Sequence, residues 1–215
     1  MNELSDSAIR KLFLCLAVYL VALFSANTLG LKIMPFIFGT HLSVAVFSFP
    51  IVFMMTDVVG EVYGRKFAKL FVLCGFVATV VFILYSFLSI AMPWSAAAEW
   101  VHQSYNTVFS MSIRIAIASV VAFIVGEYQD VIMFFLVRDR LGEKNFWLRA
   151  NISNIWSQLL DSALFMIIAF YGTYATPVLI SIIFSWWLYK VAVGILCTPL
   201  SYLGIYLLRE KPATT

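Results

Sequence analysis

Asn151, Asn154, Gln158 and Asp161 follow one another at steps of three, four and three residues. At 3.6 residues per turn, such steps keep all four side chains within roughly one quarter of a helix circumference. Three amides that donate and accept, ending in a carboxylate that only accepts, can read the edge of a polar ring or a pair of adjacent N–H donors. The competing account is interhelical hydrogen bonding, worth about 1 kcal/mol or less per bond in a membrane. An Asp near the middle of an apolar span goes beyond what such glue requires. A second constellation, Asp57 and Glu61, lies four residues apart, so its carboxylates share a helix face about one turn apart and make one site. Ionisable groups at membrane depth cost on the order of 3 kcal/mol on insertion scales, which makes each of them a functional hypothesis that needs a partner. Lys190 needs one too, and Asp57, Glu61, Asp130 and Asp161 are its candidates, with a structural ion pair as the bland reading. Beside it, Trp186 and Trp187 offer either a stacking wall for a flat ligand or ordinary packing bulk. Arg114 and Asp130 stand in one further apolar stretch, where Ser119, Phe123, Gly126 and Asp130 share a face, and Arg149 precedes the amide stripe.

These residues sit in a chain of 215 residues that is 63% hydrophobic and 12% charged, with a mean hydropathy of +0.96. That composition is outside the soluble globular class. A membrane helix needs about 20 mainly apolar residues. Segments 11–30, 42–63, 67–92, 108–137, 151–172 and 177–208 qualify, which predicts an all-α integral membrane protein with a single domain of six transmembrane helices over residues 1–215. Basic residues confirm the alternation: Arg10, Lys11, Arg65, Lys66, Lys69, Arg138, Arg140, Lys144, Arg149, Arg209 and Lys211 fall at one side of the predicted bundle, and Lys32 alone in the opposite loops. The bias predicts that both termini are cytoplasmic. Gln129-Asp130 ahead of Phe134 echoes Gln158 and Asp161 ahead of Phe165, a hint of an internal duplication.

Several classes are excluded or disfavoured. Cys15, Cys74 and Cys197 each lie in apolar runs without metal or disulfide spacing, and His41 and His102 are isolated, so no metal and no cofactor is called for. No HExxH, GxSxG or paired His/Cys spacing suggests an enzyme. A net charge of +3 gives no basis for nucleic-acid binding, and the partners expected are the lipid bilayer and a small molecule. The N-terminal apolar core after Arg10 and Lys11 is read as a retained first helix.

Four stretches carry a resemblance. TDVVGEVYGRK (Thr56 to Lys66), SANTLGLK in the first helix, RIAIASVVAFIVGEYQDV in the fourth and WLRANISNIWSQLLDSALFMIIAFYG in the fifth together resemble the queuosine precursor transporters, the vitamin uptake transporter family of six-helix membrane proteins. The resemblance implies import of the 7-deazapurines 7-cyano-7-deazaguanine or 7-aminomethyl-7-deazaguanine across the cell inner membrane, for salvage into queuosine of tRNA. It matches at Asn27, Lys32, Asp57, Glu61, Tyr63, Gly64, Arg114, Asp130, Arg149, Asn151, Gln158 and Asp161, and departs at Glu127 and in the basic run through Lys69. A guanine-like base presents adjacent ring N–H and amino donors that one carboxylate can accept. The expected substrate site is therefore Asp161, Gln158, Asn154, Asn151, Asp130 and Trp186. Asp57 and Glu61, with Arg149, Lys190 and Arg114, are expected to form a gating or coupling network. The alternative is a substrate-binding membrane subunit of an energy-coupling-factor type uptake system, which the chain resembles in size and helix number. Such a subunit would need an ATPase partner, since the chain has no Walker A motif. A homodimer is the other assembly left open.

Overall fold

A computed structural model describes residues 5–36, 39–141, 146–196 and 198–208, with backbone alone at 65, 126–141, 146–154, 157, 194, 195, 198, 199 and 201. Ser5 starts the first helix, α1 (Asp6–Leu29), by accepting from the amide of Ala8 at 3.1 Å. It begins five residues before the predicted span, because capping and not apolarity sets a helix start. α2 (Phe49–Tyr63) begins with Pro50 in its first turn, where the missing N–H costs nothing. That start is why the second predicted span loses its first residues to other structure: a short antiparallel hairpin pairs β1 (Ile33–Pro35) with β2 (His41–Ser43), and a 3-10 turn (Val44–Phe47) leads on into α2. Gly64, at φ 89°, separates α2 from α3 (Arg65–Ala91) with a single residue that only glycine adopts readily.

A 3-10 segment (Ala96–Val101) leads to α4 (His102–Leu141), followed by α5 (Phe146–Phe170), α6 (Thr176–Leu196) and α7 (Thr198–Leu208). At 40 residues, α4 is ~60 Å long by helical rise, about twice the hydrocarbon thickness, so it projects from the bilayer. The sixth predicted span corresponds to α6 and α7 together. Among the described residues, five helical stretches are long and apolar enough to cross a membrane, and Gln158–Phe170 of α5 adds a shorter apolar helix. The outside of the bundle is apolar: Leu73, Val77, Leu84 and Leu88 on α3 are exposed, as a lipid-facing helix requires.

The interior is built in two parts. Beneath the hairpin, Leu42 and Val46 pack with Ile115 of α4, Met166 and Phe170 of α5, and Ile182 and Trp186 of α6. Further along, Tyr19 of α1 packs with Val52 and Val59 of α2 and Phe71 of α3. Gly75 lets α1 and α3 approach, since a Cβ there would collide with the Tyr19 ring.

The last carbonyls of a helix have no partner within it. At the end of α5, Arg114 donates from Nε to the Ile168 carbonyl at 2.7 Å and from Nη2 to that of Tyr171 at 2.6 Å. Lys11 does the same for α7, donating to the carbonyls of Leu207 and Leu208 at 3.1 and 3.3 Å. A cation at a helix C-terminus also meets the negative end of its dipole. Arg114→Gln is expected to destabilise the protein by about 1–3 kcal/mol, as orphaned carbonyls do, and Arg114→Lys by less; thermal unfolding in detergent measures both.

Candidate functional site

An interior cavity of about 340 Å³ lies among the first six helices, and each of α1 to α6 supplies part of its wall. That is within the range of about 300–1,000 Å³ in which small-molecule sites fall. Its polar groups include Tyr19 of α1, Thr56 of α2, Thr79 of α3, Ser119 of α4, Gln158 and Asp161 of α5, and Lys190 of α6. Asp161 lies nine residues from the hairpin end of α5, and Lys190 fourteen from the start of α6. By helical rise these are depths of ~14 and ~21 Å, both within a hydrocarbon layer of about 30 Å.

Lys190 Nζ donates to Asp161 Oδ2, a salt bridge joining α6 to α5 in the cavity wall. The two partners differ in access: the Lys190 side chain is 8% exposed and that of Asp161 26%. Lys190 Nζ also stands 5.8 Å from the centroid of the Phe49 ring, within cation–π range. Phe49 meets Trp186 edge-on at 5.4 Å, and Trp186 stacks on Tyr189 at 6.1 Å. The Tyr189 hydroxyl donates to the Val46 carbonyl at 2.7 Å, tying this aromatic partition to the segment that follows the hairpin. Thr79 and Thr56 donate to the carbonyls of Gly75 and Phe53, each at 2.8 Å, which satisfies their protons within the helices. Both oxygens keep lone pairs for a ligand.

Of the predicted substrate residues, the structure brings Asp161, Gln158 and Trp186 to one cavity. Asn151, Asn154, Asp130 and Arg149 lie outside the residues whose side chains are described. Lys190, expected among the gating groups, pairs with Asp161. Arg114 caps α5 and does not line the cavity. Asp57 and Glu61 are exposed on α2, and neither lines the cavity. Trp186 is only 1% exposed, so it serves packing and wall at once. Sequence reasoning missed Tyr19, Phe49 and Thr79. Aromatic residues in an apolar helix carry no periodic signal, but Gly75 and Thr79, four apart on α3, make a small polar notch that could have been read. Among the described residues, no three His, Cys, Asp or Glu side chains converge as a metal site would need.

The profile of a family described as "Putative vitamin uptake transporter" matches residues 43–204, which takes in the cavity walls from α2 onward. A "Probable queuosine precursor transporter" of Bacillus subtilis (strain 168) is 30% identical over 171 residues, covering 77% of this chain and 72% of its own. The chain belongs to the queuosine precursor transporter family. The "Queuosine precursor transporter" of Escherichia coli (strain K12) is 24% identical over 213 residues, covering 91% of this chain and 93% of its own. No solved structure matches. As a member of a transporter family this protein is a transporter and not an enzyme. Its apolar helices make it a multi-pass protein of the inner membrane, since outer-membrane proteins span as closed barrels.

In this queuosine precursor transporter family member the Asp161–Lys190 pair is, among the described residues, the one charge pair of the cavity wall. Removing one partner of a buried pair strands the other, whereas neutralising both does not. Asp161→Asn or Lys190→Gln alone is expected to cost about 3 kcal/mol. The double variant Asp161→Asn/Lys190→Gln is expected to recover most of that, as read by thermal unfolding of the purified protein.

Proposed function

We propose that this protein imports queuosine precursors, 7-cyano-7-deazaguanine or 7-aminomethyl-7-deazaguanine, for salvage into tRNA. One observation carries the reading: Asp161 and Gln158 stand together in the wall of a mid-bundle cavity that has an aromatic partition beside it. A carboxylate accepts the paired donors of a guanine-like base, an amide serves its carbonyl or ring nitrogen, and Phe49 and Trp186 supply aromatic surface. Asn154, Asn151 and Asp130 complete the substrate set in this proposal. Asp57, Glu61 and Arg149 form a gate at the basic end of the bundle, away from the ligand.

Six spans with both termini cytoplasmic belong to the same proposal, supported by the distribution of Lys and Arg. A C-terminal fluorescent reporter is then expected to be active, and an alkaline phosphatase fusion at the same site inactive. The function itself is tested in cells that lack precursor synthesis. Expression of the protein is expected to restore queuosine in tRNA when either base is supplied, and no restoration by correctly inserted protein would overturn the assignment. In the same cells, Gln158→Ala should lower uptake about tenfold, the worth of one hydrogen bond to a polar ligand. Glu61→Gln should slow transport while leaving ligand binding to the purified protein intact.

A further inference from the structure

The salt bridge in the cavity wall is more than a structural tie. Asp161 is the more accessible partner, and Lys190 occupies one of the roughly four acceptor positions that an ionised carboxylate offers. Lys190 has three N–H donors: one goes to Asp161, and the ammonium stands over the Phe49 ring. Acceptor positions on Asp161 and a donor on Lys190 thus lie side by side on one wall of the cavity. The edge of a guanine-type ring presents an amino donor, a ring N–H donor and a carbonyl acceptor in a row. Carboxylate and ammonium together are its complement.

We propose that the Asp161–Lys190 pair is itself the base-reading element, with Asp161 accepting from the ring N–H and the 2-amino group and Lys190 donating to the 6-oxo group. This rests on the import of a deazaguanine proposed above and adds the group that reads the carbonyl and the basis of discrimination. The pair carries no net charge, so a neutral base enters without introducing one. A ring with a 2-oxo group would set oxygen against carboxylate. A ring lacking the 2-amino group loses one bond to Asp161, and an adenine-type ring sets an unprotonated ring nitrogen against it. Each mismatch leaves an acceptor position of Asp161 or a donor of Lys190 in the cavity without a partner, and a site built to hydrogen-bond its ligand rejects an analogue that cannot complete those bonds. The substituent at position 7 lies on the far side of the bicycle from this edge, so the pair does not read it.

The experiment measures uptake of labelled 7-cyano-7-deazaguanine by cells that lack precursor synthesis, with unlabelled 7-deazaguanine, 7-deazahypoxanthine and 7-deazaadenine as competitors. The first is expected to compete about 10- to 100-fold better than the other two, the discrimination one bidentate base contact provides. Equal competition by all three would overturn the proposal while leaving import intact, whereas no labelled uptake by the inserted wild-type protein would remove the function on which it rests. The Asp161→Asn/Lys190→Gln variant, which keeps a neutral pair, is expected to insert normally and to flatten the ranking to within about threefold. An inserted variant that kept the wild-type ranking would make the pair structural only, and if the variant fails to insert, the wild-type ranking decides alone.

Discussion

Within a bundle whose surface is hydrocarbon-facing, the salt bridge between Asp161 and Lys190 is the interaction on which the site depends. Water cannot solvate either group from outside, and a lone ion at that depth would be expelled, neutralised or compensated by local deformation. Pairing across α5 and α6 satisfies both. It also fixes the relative rotation and depth of the two helices, because the contact can be made in only one register. The unequal exposure of the partners follows from what surrounds them: Lys190 is enclosed beside Phe49, while Asp161 faces the open volume that all six neighbouring helices leave.

The same requirement recurs at the helix ends. α5 terminates under apolar packing at Phe170, and its last carbonyls are met by the Tyr171 and Thr173 amides and by Arg114. Lys11 closes α7 from the far end of α1. Cations that look topogenic or functional in the sequence therefore also complete the backbone hydrogen bonding. Tight contacts work alongside them: Tyr19 lies over Gly75, and Gly204 of α7 sits where a Cβ would press on Val58 of α2 at 3.0 Å. The cavity exists because these contacts hold the helices at fixed distances around it.

Much of this was legible in the sequence for definite reasons. Apolar length located the spans, since the bilayer sets a minimum, and the i, i+3 step from Gln158 to Asp161 put both on the cavity face. The need of Lys190 for a carboxylate was also legible, but not which one: four acids stood in other spans, and only the packing of α5 on α6 chooses Asp161. The hairpin was not legible, because strands of three residues lie below any periodic signal and the run through Phe36 reads as a loop. For Arg114 the sequence offers a charge inside a span and a family match, which point to gating or coupling but not to what it touches. Its partners are backbone carbonyls fifty-four and fifty-seven residues away, which no side-chain pattern announces. Asp57 and Glu61, the most conspicuous acids of the chain, proved to be exposed on α2 outside the cavity wall.

The hairpin and the ion pair are physically joined. Ser43 at the end of β2 donates to the Gly30 carbonyl at 2.7 Å, and the Val44 amide donates to Lys32 at 2.9 Å, so the hairpin is bonded to the end of α1. The next turn accepts from Tyr189, Tyr189 supports Trp186, Trp186 meets Phe49, and Phe49 lies under Lys190. A contiguous packed chain of this kind has few intermediate arrangements, because interiors repack between discrete states more readily than they deform. Separating α6 at Tyr189 from the turn before α2 would therefore break the Tyr189 bond and withdraw support from the aromatic partition. The ammonium that rests against Phe49 would be left with Asp161, or with whatever then occupies the cavity, as its remaining partner.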